Sequence, residues 1–118
     1  MIPSGVDVFV ALAPVDLRCS FDRLAGVVKE QVGYEARSGA LFVFYGRRRD
    51  ALKVLFFDGS GLCIFYKRLD RGTFRLPEAT SADAQHVQID DATLEALLDG
   101  VEVDAATPRV RTRRPRMH

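Results

Sequence analysis

Between Gly39 and Pro77 three apolar runs alternate with charged or glycine-rich breaks. Residues 41–45, 52–57 and 62–69 are rich in Leu, Val, Phe and Tyr, too short for helices and of ordinary strand length. The breaks are Arg47-Arg48-Arg49-Asp50 and Asp58-Gly59-Ser60-Gly61, short enough to demand antiparallel neighbours. Asp58-Gly59-Ser60-Gly61 supplies the glycines a tight hairpin uses where the backbone takes positive φ. The first two runs, Leu41-Phe42-Val43-Phe44-Tyr45 and Val54-Leu55-Phe56-Phe57, lack polar alternation, which requires cover on both sheet faces. Burying each such side chain is worth roughly 1.5 to 3 kcal/mol. One helix covers one face; the other must meet the chain's remaining segments, a second copy or a partner protein.

The flanks supply the helices. Residues 6–12 are rich in Val, Phe and Leu and precede Pro14, the pattern of a short buried strand. Ser20 stands at the N-cap position of a helix over residues 21–32, in which Phe21, Leu24, Val28 and Val32 recur at helical spacing, Asp22 occupies the first turn and Gly33 ends the run. After a turn region at 77–85, residues 87–89 add a short edge strand. Asp90 or Asp91 caps a second helix over 92–98, closed by Gly100. The expected fold is a single α+β domain over residues 1–104: an antiparallel meander of four or five strands, one main helix on a face and a short C-terminal helix.

Charge changes the picture at the end of the chain. The net charge of +1 on 118 residues conceals a segregation: residues 1–104 hold 12 basic and 16 acidic side chains, whereas 105–118 hold five arginines and no acid. With two prolines and little aliphatic surface, this stretch reads as a disordered basic arm. Cys19 and Cys63 form no metal-ligand spacing with His86 and His118, so no metal or cofactor is expected, and free thiols fit a reducing cytoplasm. No run approaches the ~20 apolar residues that span a bilayer, and no export signal precedes the first strand.

Three consecutive arginines between two strands cannot all enter a core, and guanidinium groups suit phosphate oxygens; a solvated loop is the bland reading of the same residues. Lys67 and Arg68 point to opposite faces of their strand, so only one joins a continuous basic surface, with Arg71 and Arg75 as neighbours around the next turn. Lys53 and Arg18 either extend that surface or pair with Asp50 and Asp16. Tyr45, Phe65 and Tyr66 lie close to these cations and are the aromatic candidates for base stacking, with core packing the stronger reading for Phe65. The carboxylates nearest strand ends, Asp7, Asp16, Asp58 and Asp70, would have to converge to make a metal-dependent nuclease, and Asp16 and Asp58 read better as turn residues. No nucleophile elbow accompanies Ser20, Ser60, Cys19 or Cys63, so catalysis is not expected.

Pro14-Val15-Asp16-Leu17-Arg18, Ser38-Gly39-Ala40-Leu41-Phe42-Val43-Phe44, Arg47-Arg48-Arg49-Asp50, Leu52-Lys53-Val54-Leu55 and Asp58-Gly59-Ser60-Gly61 occur in an order that resembles a bacterial family. It is similar to the TnpB accessory proteins of insertion-sequence family sixty-six, distinct from the RNA-guided nuclease of the same name. The likeness continues through Tyr66-Lys67-Arg68-Leu69, Gly72, Phe74 and Pro77 to Leu97-Leu98-Asp99-Gly100. Phe57, Phe65 and Leu76 stand where tryptophan is expected in that family, and Cys19 where lysine is common.

The resemblance implies a non-catalytic role in transposition beside a transposase encoded by the same element. Joined to the charge pattern, it gives an expected nucleic-acid-binding set of Arg47, Arg48, Arg49, Lys53, Lys67, Arg68, Arg71 and Arg18. The partners expected are DNA, at element ends or as nonspecific duplex, the transposase and a second copy of the chain, but no membrane. The rival reading is a protein adaptor in which the second sheet face and the arginines engage an acidic transposase surface.

Overall fold

The computed structural model describes residues 3–100 and the backbone of two short strands at 102–103 and 110–111. The apolar runs form the strands: β1 (Val8–Ala11), β2 (Leu41–Tyr45), β3 (Ala51–Phe57), β4 (Leu62–Arg68) and β5 (His86–Ile89). Their order across one sheet is β4-β3-β2-β1-β5. β2, β3 and β4 form the expected antiparallel meander, with Val43 opposite Val54 and Val54 opposite Phe65. β1 adds what local pattern could not show, a parallel pairing with β2 that sets Val8 beside Leu41, while its other edge runs antiparallel to β5. The fold is α+β with a mixed, mostly antiparallel sheet.

The parallel pair needs a crossover, and the first helical segment provides it. α1 (Phe21–Val27) starts at Ser20, which occupies the N-cap position without a capping bond from its side chain. The helix widens at Val28–Val32 into a π-helical turn, where the Gly33 amide donates to the Val28 carbonyl at 3.0 Å. Gly33 then adopts φ +78°, a left-handed stop suited to glycine. α2 (Asp91–Asp99) is capped by Asp90, whose carboxylate accepts the Thr93 amide at 2.8 Å. Thr93 thereby holds the Asp90 carboxyl below its ordinary pKa.

Both faces of the sheet are dry over β1, β2 and most of β3. Leu24, Val28 and Val32 pack on Phe9, Phe42, Phe44 and Leu55 on one face. Leu94, Leu97 and Phe74 pack on Val10, Val43, Leu52, Val54 and Phe56 on the other. Phe42, Phe44, Leu24 and Leu55 are each under 2% exposed, which explains why β2 and β3 show no polar alternation. The second face is therefore covered by the chain itself, through α2 and the segment after β4.

Beyond Gly100, β6 (Glu102–Val103) pairs antiparallel with β7 (Val110–Arg111). The disordered arm expected over 105–118 otherwise lies outside the described residues.

Candidate nucleic-acid interface

The β2–β3 connection closes as a tight turn: the Arg49 amide donates to the Gly46 carbonyl at 3.0 Å, and Arg49 takes φ +60°, the left-handed region that non-glycine residues seldom occupy. The surroundings hold it there. The Arg49 carbonyl accepts the Phe74 amide at 2.7 Å, and the Asp50 carbonyl accepts the Leu69 amide at 2.8 Å. The Arg49 guanidinium lies 5.8 Å from the centre of the Tyr45 ring. The hairpin is thus stitched to the segment that follows β4, and Arg49 serves that stitching.

Arg47 and Arg48 go elsewhere. With Arg18, Asp16, Ala51 and Tyr66 they line an open groove of about 990 Å³ between the hairpin and the loop after β1. That loop is seated by the Val15 amide, which donates to the Tyr45 carbonyl at 2.9 Å, and by Leu17 packed over Gly46. A Cβ at position 46 would come within 3.3 Å of the Leu17 side chain, so the glycine permits the close approach that brings Arg18 beside Arg47 and Arg48. The buried Tyr45 hydroxyl donates to the Leu12 carbonyl and fixes the start of the loop; burial raises its pKa.

Of the two expectations for Arg18, pairing holds. Its Nη2 meets Asp16 Oδ2 at 2.7 Å and its Nε meets Asp16 Oδ1 at 3.0 Å, and Asp16 also accepts the Arg18 amide. This bonding pulls the Asp16 pKa from 3.8 to about 2 and raises that of Arg18. Asp16 is therefore a turn carboxylate already engaged by a cation. Asp58 is another turn residue: it accepts the amides of Ser60 and Gly61, and those bonds lower its pKa to about 2. Among the described residues no group of three or more His, Cys, Asp or Glu side chains is placed to hold a metal ion.

Lys53 neither pairs with Asp50 nor projects freely. Its ammonium donates to the Cys19 carbonyl at 2.9 Å and sits 5.0 Å from the Tyr66 ring centre, tying the loop before α1 to the sheet. Lys67 lies on the opposite face and donates to the Leu98 carbonyl at the end of α2, away from the groove. Arg68 shares the face of Tyr66 and sits level with Ala51 at the hairpin end, exposed. Arg71 is exposed on the stitched segment. Arg47, Arg48, Arg68 and Arg71 form no ion pair or hydrogen bond among the described residues.

The structure thus brings Arg18, Arg47, Arg48 and Arg68 to one end of one face, with Arg71 nearby. Of the three aromatic candidates, Tyr45 is buried, Phe65 packs against the core, and Tyr66 is 56% exposed beside the groove. Sequence reasoning missed Leu17 and Gly46 as the fit that forms the groove, although Pro14-Val15-Asp16-Leu17-Arg18 stood out as a block.

Among known proteins, residues 6–108 match the family described as IS66 Orf2 like protein. The chain is 44% identical over 104 residues to the uncharacterized protein y4hO of Sinorhizobium fredii (strain NBRC 101917 / NGR234), covering 86% of this chain and 88% of that one. It is 34% identical over 73 residues, 62% of each chain, to the uncharacterized protein y4jC of the same organism. No solved structure matches.

Proposed function

This chain belongs to the IS66 Orf2-like family, the accessory proteins of insertion-sequence transposition, and on that premise we propose that it serves transposition by binding DNA. The observation that carries the proposal is the groove end of the sheet, where four guanidinium groups flank one exposed tyrosine and three of them have no carboxylate partner among the described residues. Unpaired guanidinium groups on a rigid hairpin suit successive phosphates, and an exposed ring beside them suits an unstacked base. Arg49 and Lys53 act as supports, and Lys67 stands outside the contact surface.

In this reading the protein works without cutting or joining DNA, in the cytoplasm, and delivers or steadies DNA for the transposase of its own element. The adaptor reading keeps less: the second sheet face it required is filled by α2 and Phe74, which leaves it the arginines alone.

The test is DNA binding by the purified chain across a salt series, comparing wild type, Arg47→Ala/Arg48→Ala and a chain ending at Asp104. Arg49 is left in place because its guanidinium lies against the ring of Tyr45, which anchors the loop after β1. Each phosphate contact contributes about 0.9 to the slope of log affinity against log salt, so losing two flattens the slope by about 1.8. Over a fourfold rise in salt, wild type should lose roughly tenfold more affinity than the double variant. Equal slopes, with binding lost only on removing residues 105–118, would sink the hairpin as the DNA contact.

A further inference from the structure

The sheet has two edges, and they are managed differently. β5 is four residues long, which blunts it. β4 is seven residues long, and no neighbour pairs with its outer side among the described residues. Which of its backbone groups face outward follows from the ladder. Leu69 donates to Asp50 and Asp58 to Gly61, so the pairs at either end of the β3–β4 ladder are hydrogen-bonded ones. Alternation then directs Cys63, Phe65 and Lys67 toward β3, and leaves the amides and carbonyls of Leu62, Ile64, Tyr66 and Arg68 pointing away from the sheet. From Leu62 to Tyr66 the side chains along this edge are apolar on both faces, Lys67 and Arg68 close the strand, and Tyr66 is the most exposed large hydrophobic residue described. An apolar groove of about 610 Å³ runs beside the edge, from Cys63 and Phe65 to Leu94 and Leu98 of α2.

We infer that β4 pairs with β4 of a second copy, antiparallel about a two-fold axis perpendicular to the sheet. The strand is complementary to itself. The register that overlaps its whole length sets Leu62 against Arg68 of the second copy, Ile64 against Tyr66, and Phe65 against its own equivalent on the axis. All the outward amides and carbonyls then find partners, Tyr66 is covered by a branched aliphatic side chain, and the two Phe65 rings meet beside the grooves. Charge favours the same arrangement: the basic end of each strand, at Lys67 and Arg68, comes to lie beside the hairpin of the other copy that carries the strongly acidic Asp58.

The product is a continuous ten-stranded sheet with both α1 faces on one side. From strand rise and spacing, the two Arg47–Arg48 hairpins stand roughly 40 Å apart, close to one turn of B-DNA, about 35 Å. That spacing matters for DNA only on the function proposed above; the dimer stands without it.

Two measurements decide the inference, neither of which uses DNA. Light scattering on the eluting full chain should give about twice 13.1 kDa for wild type. Tyr66→Pro, which removes one outward amide at a position where an edge strand tolerates proline, should give the single mass with an unchanged far-ultraviolet spectrum. The second measurement maps the register. Position 67 faces Cys63 of the second copy as a non-hydrogen-bonded pair, with Cα atoms about 4.5 Å apart, inside the range a disulfide bridges. Lys67→Cys should therefore form a cross-linked dimer under mild oxidation, and Lys67→Cys/Cys63→Ser should not. A monomeric wild type up to millimolar concentration, or a dimer in which Lys67→Cys fails to cross-link, overturns the inference even if Tyr66→Pro does not fold.

Discussion

Replacing Lys53 by methionine separates a cation held by the fold from one kept for a ligand. Methionine preserves the apolar stem and its packing, so the change removes the ammonium alone. The ammonium donates to the Cys19 carbonyl at 2.9 Å, and a hydrogen bond to a charged group contributes about 1.5 to 3 kcal/mol. Lys53 is half-buried and water can replace it at the carbonyl, so the lower end of that range applies. Its contact with the Tyr66 ring, 5.0 Å away and more than half exposed, adds about 0.5 kcal/mol. The expected loss is about 2 kcal/mol. In urea denaturation at neutral pH, with a slope of about 2 kcal/mol/M for a domain of this size, the midpoint should fall by about 1 M with the slope unchanged. Tyr66→Ala alone should cost less, and the double variant should fall short of the sum by about 0.5 kcal/mol, because both changes remove one shared contact. A Lys53→Met midpoint within experimental error of wild type would refute the anchoring role and return Lys53 to the pool of free surface cations.

Leu24→Ala should destabilise the chain by roughly 3 to 5 kcal/mol, since Leu24 is fully buried where α1 meets Phe42 and Phe44; a calorimetric loss under 1 kcal/mol would mean α1 is not docked as described. Acid should also be destabilising in a definite window. The carboxyls of Asp16 and Asp58 titrate near 2 when folded and near 3.8 when free. Their contribution is therefore complete above about pH 4 and lost as pH falls toward 2. Asp58→Asn keeps an acceptor for the Ser60 and Gly61 amides but cannot titrate, so its melting temperature should vary less over that window than wild type's; parallel curves would remove Asp58 from the account.

What could be read from the sequence was what local chemistry decides. The Asp58-Gly59-Ser60-Gly61 hairpin, the helix stops at Gly33 and Gly100 and a cap at Asp90 or Asp91 all follow from residues within a turn of one another; the structure has each of them and puts the cap at Asp90. The missing polar alternation of β2 and β3 correctly demanded cover on both faces, but the identity of the second cover did not follow. Leu94 and Leu97 meet Val43 and Val54 only through the tertiary fold. For the same reason the place of β1 between β2 and β5 was beyond reach, because nothing in Val8-Phe9-Val10-Ala11 names its neighbours. At the candidate site, strand parity separated Lys67 from Arg68 in advance. The choice of which cation goes to the groove depended on register, and the structural duties of Arg49 and Lys53 came from contacts with Phe74, Tyr45 and Cys19, distant in sequence.

The position of β1 has a consequence for how the molecule is made. Val8–Ala11 emerges from the ribosome before the other strands, yet one of its partners is β5, which ends at Ile89. Every nascent chain shorter than that carries a fully apolar strand with an open side, and closing so long a loop makes folding slow. A frameshift or stop codon between β2 and residue 86 therefore leaves β1 with an edge that seeks other chains. Such truncated copies should accumulate as aggregates rather than persist as partly active fragments.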